Sequence, residues 1–458
     1  MIPEAFLIRM RSLLGDEYEA FLTSLEEPSV RALRVNTLKA EALTVMDALD
    51  TDLLPLSYAD DGYVFSYEKI GNHPLHHAGG FYVQDPGAMA TLHALPVQKG
   101  WVVADFCAAP GGKTSQLSAY VGEDGAVLSN EIDRARVKVL RGNLERLGAK
   151  NVLLMNTDAS SIASLYPRCF DLVLVDAPCS GEGMFRKYEI AREDWSEGKV
   201  NACAVLERDI LSSASKTVKG GGYLLYSTCT FSLEENEKNI DDFLEQNPDF
   251  EIVEVSKHLQ AVTSAGIAFE GSRHPDALRL TRRFYPHRSQ GEGQYIALMR
   301  RSEHVPISEA LKDASEPLSR KEREIVEDFL KETLNADAYA SLRESLRLVK
   351  HKDTVCAATR LPIPSKGVYM PGTALGTITK GRLVPHHHFF SAYGHLFARK
   401  EELSSDSDAI RRYLRGETIP SSLENGYGAV TVFGCALGGI KVVDGVAKNH
   451  YPKGLRIP

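Results

Sequence analysis

Between Val102 and Met299 the sequence alternates short runs of β-branched and other apolar residues with longer amphipathic segments. This alternation is typical of a parallel β-sheet wound with helices, because each parallel strand needs a crossover connection to the next. The predicted strands are Val102–Asp105, Ala126–Glu131, Val152–Asn156, Asp171–Val175, Tyr223–Ser227 and Gln294–Met299. The predicted helices are Ser115–Val121, Arg134–Leu147, Asn201–Val218 and Glu234–Gln246, the last opened by a capping box from Ser232 to Glu235. We therefore expect an α/β core with a Rossmann-like, doubly wound sheet.

The remaining sequence divides into regions of different character. A chain of 458 residues exceeds what one hydrophobic core usually supports, so several domains are expected. We predict an N-terminal extension over 1–95 and the α/β core over 96–304. A charged connecting region with helical periodicity follows over 305–373, and a β-rich module with many turn signals covers 374–458.

Composition argues against a membrane protein or a secreted one. A hydrophobic content of 43% and a charged content of 25% are ordinary for a globular protein, and no apolar stretch is long enough to cross a bilayer. The N-terminus lacks a basic segment followed by a long apolar run, which predicts a cytoplasmic location. None of the seven cysteines forms a Cys-x-x-Cys pair, so we expect free thiols. We expect the protein to be a monomer.

The first predicted strand ends in a loop of small residues, Cys107-Ala108-Ala109-Pro110-Gly111-Gly112-Lys113, and a helix follows. Such a loop lets the backbone approach a ligand at the carboxyl end of the sheet. A Walker loop would need glycine in place of Cys107, and a Gly-x-Gly-x-x-Gly pattern is absent. Glu131 after the second strand could bind ribose hydroxyls, and Asp158 after the third an adenine amino group. The pattern favours a nucleoside without phosphates; the alternative is that both acids cap helices.

Two cysteines follow the ends of neighbouring predicted strands. Asp176-Ala177-Pro178-Cys179 follows the fourth strand, and Ser227-Thr228-Cys229 follows the fifth. In a doubly wound sheet these ends open onto the same crevice as the glycine-rich loop. A single cysteine of this kind is more often a buried, inert thiol, but two beside a nucleoside site favour covalent catalysis by a thiolate. Asp176 and Lys113 are candidates to stabilise charge on a substrate.

At these residues the chain resembles the NOL1/NOP2/Sun family of RNA 5-methylcytosine methyltransferases, most closely the bacterial branch that modifies small-subunit ribosomal RNA. The resemblance rests on the loop from Cys107 to Lys113, the segments that contain Cys179 and Cys229, Arg31–Thr37, and His287–Gly293. It implies a class I methyltransferase core with an N-terminal RNA-recognition extension and a C-terminal PUA-like domain. It also implies S-adenosylmethionine as cofactor and 16S ribosomal RNA, or the small ribosomal subunit, as the partner that receives the methyl group.

The resemblance also gives roles that the residues alone leave open. It implies that Cys229 is the nucleophile that attacks carbon 6 of cytosine, and that Cys179 assists release of the product. Cytosine methyltransferases that act on DNA use the Pro-Cys thiol instead, so the sequence alone permits the reverse assignment. The family further implies that the Cys107–Lys113 loop, Glu131, Asp158 and Asp176 contact S-adenosylmethionine or border it.

A net charge of −8 does not mark an RNA-binding protein, because phosphate contacts need clustered Lys and Arg. One basic cluster spans Ser272–Arg288, and we expect its Arg279–Arg288 part to bind RNA; the alternative is an ordinary solvated face. The tail Gly434–Arg456 resembles a PUA-type RNA-binding module. His73–His77 and His386–His388 lack metal-ligand spacing and are expected to be surface or packing residues, with no metal. The competing functions are the same chemistry on transfer RNA and a non-catalytic RNA-binding assembly factor.

Overall fold

The computed structural model describes residues 2–305 and 311–457, and a ten-stranded sheet forms the centre of this part of the chain. Five of the strands are parallel, and they are Val102–Asp105, Ala126–Asn130, Val152–Met155, Phe170–Asp176 and Val218–Thr228. If these five strands are numbered in chain order, their order across the sheet is 3-2-1-4-5. The order therefore reverses between the first and fourth strands, and open α/β sheets bind ligands at such a switch point.

Helices cover both faces of this sheet, as predicted for a doubly wound fold. One face packs on Gly112–Val121 and Arg136–Leu147. The other packs on Ala159–Leu165, Glu197–Ser215 and Glu237–Gln246. Because both faces are covered, successive residues of a central strand are all apolar, and Leu172, Val173, Leu174 and Val175 are each fully buried.

All six strands predicted for the core are present, but the sheet is mixed. The sixth, Gln294–Arg301, runs antiparallel to Val218–Thr228. The connection that leads to it contains the helix Glu237–Gln246 and three short strands. The antiparallel strands of the sheet are Phe250–Ile252, Ser264–Ala265, Arg282–Phe284, Gln294–Arg301 and Val368–Met370. Short helices in this part are Glu189–Glu193, Lys257–Ala261 and Pro275–Leu278.

The N-terminal residues form a four-stranded antiparallel sheet flanked by helices. Across the sheet its strands are Leu54–Leu56, Ala59–Val64, Ala32–Val35 and Phe81–Val83. Its helices are Glu4–Leu14, Tyr18–Glu26, Ala42–Leu49, Pro74–His77 and Pro86–Ala90. The first two helices bury Phe6 against Phe185 and Phe21 against Phe231. The extension therefore packs directly on the loops that follow the fourth and fifth parallel strands.

The C-terminal residues form two five-stranded sheets, and the first of them begins at Glu316, well before the β-rich module predicted over 374–458. The first contains Glu316–Pro317, Arg347–His351, Thr354–Ala358, Gly372–Thr379 and Arg382–Pro385. The second contains Lys400–Glu402, Gly426–Val432, Cys435–Val443, Val446–Asn449 and Ile419–Pro420. The accompanying helices are Arg320–Thr333, Ala336–Ser345, His387–Tyr393 and Asp408–Arg415. The first two confirm the helical periodicity of the charged region, of which 306–310 lie outside the described residues.

Short 3-10 turns link these elements at Gly15–Glu17, Ile70–Asn72, Thr91–Ala94, Glu182–Met184, Gly394–Leu396 and Lys453–Leu455. A strand from the charged region, Val368–Met370, joins the central sheet by pairing antiparallel with Val152–Met155. The third parallel strand is therefore not an open edge. Over 2–305 and 311–457, no helix has the length and apolarity that a bilayer span requires.

The structure changes the interpretation of the basic cluster. Arg283 is 2% exposed, its guanidinium is bonded to both carboxylate oxygens of the buried Glu237, and it donates to the Phe231 carbonyl. Arg282 donates to the carbonyls of Gln260 and Thr263. These contacts hold the loops of the core together, so the buried Arg283 is not available to the RNA that the Arg279–Arg288 region is predicted to bind, whereas Arg279 and Arg288 are exposed.

Replacing Arg283 with Met should destabilise the fold because Glu237 would remain buried without its partner. We expect a loss of about 3–5 kcal/mol in the free energy of unfolding, measured by chemical denaturation. Arg279→Ala is the control, since Arg279 is exposed and pairs only with Asp276, and it should cost less than about 0.5 kcal/mol. Equal losses in the two variants would contradict a structural role for Arg283.

Candidate active site

A cavity of about 610 Å³ opens at the carboxyl ends of the parallel strands. Residues that follow all five strands line it, together with one face of the helix Glu197–Ser215. The lining residues include Cys107, Ala109, Asn130, Glu131, Thr157, Asp158, Asp176, Cys179 and Cys229 from the strand ends, and Leu206, Asp209, Ile210 and Ser213 from the helix. The structure thus brings both predicted thiols and the predicted cofactor residues Cys107, Ala109, Glu131, Asp158 and Asp176 to one cavity. The other residues of the predicted loop are not among the lining residues, and these are Ala108, Pro110, Gly111, Gly112 and Lys113.

The glycine-rich loop is held in a fixed shape by its neighbours. Arg136 Nη2 donates to the carbonyl of Ala109 over 2.9 Å, and Asn143 Nδ2 donates to that of Pro110 over 2.8 Å. The loop turns at Gly111, whose φ of +111° is in the region that favours glycine. These contacts leave the loop backbone formed before any ligand arrives.

Beneath this loop, Asp105 is buried and accepts a hydrogen bond from Thr114 Oγ1 at 2.7 Å on Oδ2. Its other oxygen, Oδ1, has no hydrogen-bond partner within the described residues. Burial raises the pKa of Asp105 to about 7. Buried polar atoms usually have a hydrogen-bond partner, so this unpaired carboxylate oxygen is a place where a polar group of a ligand can bind.

The two acids proposed for the nucleoside have different structural partners. Glu131 is 2% exposed and caps no helix; it accepts the Asp133 amide at 2.9 Å and lies 3.4 Å from Arg136 Nη1. Asp158 does cap a helix, since its Oδ1 accepts the Ser161 amide at 2.8 Å, and hydrogen bonds from neighbouring serines lower its pKa. Both carboxylates line the cavity, so capping by Asp158 leaves it on the ligand side.

Asp176 is fixed at the opposite wall by two side chains. Lys113 Nζ donates to its Oδ2 at 2.7 Å, and Ser227 Oγ donates to its Oδ1 at 2.6 Å. The ammonium group keeps a negative charge at this position favourable. Asp176 is about one-third exposed, so it can still reach a group inside the cavity.

The sulfur atoms of Cys179 and Cys229 are 3.3 Å apart. The hydrogen bond to Cys229, together with burial, raises the pKa of the Cys179 thiol well above its ordinary value. Gly183 N donates to the Cys229 carbonyl at 2.9 Å, and added side-chain bulk at Gly183 would meet the backbone of Gly293. The two thiol loops are therefore packed backbone against backbone.

A buried glutamate, Glu182, links the two thiol loops. Glu182, in the loop of Cys179, accepts the Phe231 amide of the other loop at 2.9 Å and the Trp195 indole N–H at 2.9 Å. Burial raises its pKa. Nothing in the sequence marks Glu182 for this role, since an acid in a glycine-rich turn has no distinctive spacing.

The predicted capping box forms only in part. Ser232 Oγ accepts the Glu235 amide at 3.2 Å, but the helix begins at Glu237. The Glu235 carboxylate does not return to the Ser232 amide and instead binds Ser180, in the loop of Cys179. The prediction that Glu235 closes a capping box was therefore wrong.

The histidine clusters serve packing and capping. His73 Nδ1 accepts the Leu75 amide, and His386 Nδ1 accepts the His388 amide. His388 is buried and contacts the Ala149 carbonyl through Nε2. Within 2–305 and 311–457, no group of three or more His, Cys, Asp or Glu side chains has a metal-binding arrangement.

The cavity suits S-adenosylmethionine in size and in chemistry. Its volume lies within the range of about 300–1,000 Å³ that small-molecule sites usually have. A buried acid after the second strand and a preformed glycine-rich loop at the switch point suit a nucleoside without phosphates. The fold and the cavity are those of the S-adenosylmethionine-dependent methyltransferases.

Three family models match successive parts of the chain. They are the N-terminal domain of 16S rRNA methyltransferase RsmF over 2–86, 16S rRNA methyltransferase RsmB/F over 92–300, and the methyltransferase RsmF PUA domain over 400–457. The chain belongs to the RsmB/F family of methyltransferases, which confirms the resemblance seen in the sequence.

Curated relatives carry the name ribosomal RNA small subunit methyltransferase F. The protein from Vibrio parahaemolyticus is 29% identical and the alignment covers 99% of this chain and 97% of that protein. The one from Vibrio vulnificus is 32% identical over 75% of both chains. The one from Erwinia tasmaniensis is 36% identical over 66% of this chain and 64% of that protein.

Solved structures share the fold over about two thirds of the chain. A methyltransferase homolog protein from Pyrococcus horikoshii is 29% identical with a TM-score of 0.58, covering 65% of this chain and 95% of that chain. NSun6 from the same organism is 22% identical with a TM-score of 0.56, covering 65% and 98% respectively.

Proposed function

We propose that this protein methylates carbon 5 of a cytosine in small-subunit ribosomal RNA, with Cys229 as the covalent nucleophile. The observation that carries the proposal is the contact between the Cys179 and Cys229 sulfurs at the wall of the cofactor cavity. The names of the relatives and family models support the ribosomal substrate. We also propose a cytoplasmic monomer, with RNA-contacting units over 1–95 and 374–458 flanking the catalytic unit over 96–304.

The cofactor would lie along the strand ends. Glu131 accepts hydrogen bonds from the two ribose hydroxyls, and Asp158 accepts one from the adenine amino group. The Cys107–Lys113 loop supplies backbone contacts to the amino-acid end. When bound, S-adenosylmethionine supplies an electrophilic methyl group on its sulfonium.

Carbon 5 of cytosine is a poor nucleophile, so the protein must first activate the ring. The Cys229 thiolate forms a bond to carbon 6, and the electron pair of the 5,6 double bond makes carbon 5 nucleophilic enough to take the methyl group. The carbon 5 proton then passes to a base, the carbon–sulfur bond breaks, and the double bond re-forms with release of the thiolate. Cys179, in contact with Cys229, is placed to assist this release.

Asp176 positions the base and stabilises charge during the addition. Its carboxyl group can hydrogen-bond the exocyclic amine and, by sharing a proton, ring nitrogen 3. Lys113 and Ser227 fix its orientation through their hydrogen bonds. Because carbon 6 is inaccessible in a stacked helix, the target cytosine must be single-stranded or flipped out.

Cys229→Ala should abolish methyl transfer because no group remains to attack carbon 6. Cys179→Ala should still form the bond to RNA but release it slowly, so a protein–RNA adduct should persist on a denaturing gel. Cys169→Ala, a thiol outside the cavity, is the control and should behave as the wild type. Retained activity in Cys229→Ala, or an adduct that contains Cys179 as the linked residue, would reverse the assignment.

Glu131→Gln should weaken the binding of S-adenosylmethionine, because a neutral amide is a poorer acceptor for two hydroxyls. A lost charged hydrogen bond of about 1.5–3 kcal/mol corresponds to about a 10- to 150-fold rise in Kd, which calorimetry can measure. Glu123→Gln is the control, an exposed glutamate that pairs with Lys150 outside the cavity. An unchanged Kd in Glu131→Gln would remove Glu131 from the cofactor site.

Bisulfite sequencing of ribosomal and transfer RNA from cells with and without this gene tests the substrate. We expect 5-methylcytosine to disappear from small-subunit ribosomal RNA. Loss confined to a transfer RNA would keep the chemistry and reject the ribosomal target. No loss in either RNA would favour a binding protein without catalytic activity.

A further inference from the structure

The two thiol loops share one buried carboxylate. Glu235 is fully buried, and its Oε1 accepts the amide of Ser180 at 2.6 Å. Its Oε2 accepts the Ser180 hydroxyl at 2.6 Å and the Thr230 hydroxyl at 3.3 Å. Ser180 directly follows Cys179, and Thr230 directly follows Cys229. A single side chain therefore holds the residues next to both sulfurs, and it fixes the distance between them.

A second buried acid lies beside the first. Glu207, on the helix Glu197–Ser215, is fully buried; its Oε2 accepts Asn239 Nδ2 at 2.9 Å and its Oε1 has no hydrogen-bond partner within the described residues. Burial and the neighbouring Glu235 raise the pKa of Glu207 to about 9, and burial raises that of Glu235 to about 7. Near neutral pH the pair therefore holds a proton on Glu207 and a titrating charge on Glu235.

The pKa of the Cys179 thiol is raised by its hydrogen bond to Cys229, by burial and by the charge of Glu235. The ionisable groups that face Cys179 include Cys229, Glu235, Glu207 and Tyr226, and both acids disfavour a thiolate at Cys179. Both acids also face Cys203, and Glu207 faces Tyr226; burial already keeps Cys203 and Tyr226 protonated. Glu182 faces Glu235 from the other side. A Cys179 S–H group can donate a hydrogen bond to the Cys229 sulfur, which lies 3.3 Å away.

We propose that Glu235 is a positioning residue whose carboxylate keeps the proton of the thiol pair on Cys179 and so leaves Cys229 as the nucleophile. The proposal rests on the proposed function and adds a physical reason for the division of roles between the two thiols. The Cys179 S–H donates to the Cys229 sulfur and stabilises its thiolate. After methyl transfer, the same thiol can pass its proton to the leaving Cys229 sulfur, and the resulting Cys179 thiolate can take up the proton that carbon 5 loses. One proton is then released to solvent, which restores the starting state of the thiol pair.

The test compares alkylation of the two thiols in the free protein. Reduced full-length wild type and Glu235→Gln are treated with iodoacetamide, and the rate at each cysteine is measured by peptide mass spectrometry across a pH series. Glutamine can keep the contacts to Ser180 but removes the charge. We expect the rate at Cys179, relative to Cys229, to rise about tenfold at neutral pH, the change that corresponds to one pKa unit.

Glu182→Gln is the matched control. This substitution weakens the hydrogen bond from the Phe231 amide that joins the two thiol loops, but it leaves the Glu235 carboxylate beside Cys179 in place. We expect it to change both alkylation rates alike and to leave their ratio as in the wild type. A ratio that rises equally in Glu182→Gln and Glu235→Gln would show that loop loosening, and not charge, governs Cys179, and would overturn the proposal. So would an unchanged ratio in folded Glu235→Gln.

Glu207→Gln gives an independent measurement if Glu235→Gln does not fold. Since Glu207 carries a proton at neutral pH, its replacement should alter Cys179 alkylation only at alkaline pH, near its pKa of about 9. A large change already at neutral pH would contradict the shared-proton arrangement. None of these measurements uses RNA, so they remain decisive if the ribosomal substrate is wrong. With RNA, Glu235→Gln should lower kcat and leave KM for RNA unchanged.

Discussion

The parallel pairing of Phe170–Asp176 with Val218–Thr228 is the constraint on which the active site depends. In this register Asp176 lies opposite Ser227, so both strands end at the same level. The residues that follow, Cys179 in one loop and Cys229 in the other, meet because the strands end together. A shift of one residue would turn the buried apolar side chains of a strand toward the wrong helix layer, so packing of the core also fixes the chemistry at the edge.

The strand ends determine where the thiol loops begin, but they do not make the loops rigid, because loops at the edge of a sheet have no hydrophobic core of their own. Here the support comes from elsewhere in the sequence. The N-terminal helices bring Phe6 and Phe21 against Phe185 and Phe231, whose rings lie within or next to the thiol loops. On the other side the buried pair of Arg283 and Glu237 holds the Phe231 carbonyl. The extension that precedes the core therefore supports the loops that carry the two thiols.

Sequence alone predicted the central strands, four of the helices that cover them and the cavity residues that follow strand ends, because these depend on periodicity and on small residues at strand ends. It failed where a residue's role depends on a distant partner. Arg283 belongs to a basic cluster in the sequence, yet a buried glutamate far along the chain neutralises it. Glu235 has the spacing of a capping box, but Ser180 competes successfully for its carboxylate. The direction of Gln294–Arg301 likewise depends on its pairing with Val218–Thr228, which is distant in the sequence and which local patterns do not encode.

The strand Val368–Met370 has a consequence for how the protein is made. It covers the edge strand Val152–Met155, whose residues are apolar and buried, and unpaired strand edges of this kind template aggregation. Synthesis proceeds from the N-terminus, so the catalytic sheet emerges from the ribosome long before the segment that seals it. Until then the nascent chain carries an open edge, which makes it a substrate for chaperones. A premature stop before residue 368 would make that exposure permanent, even though every catalytic residue is already present.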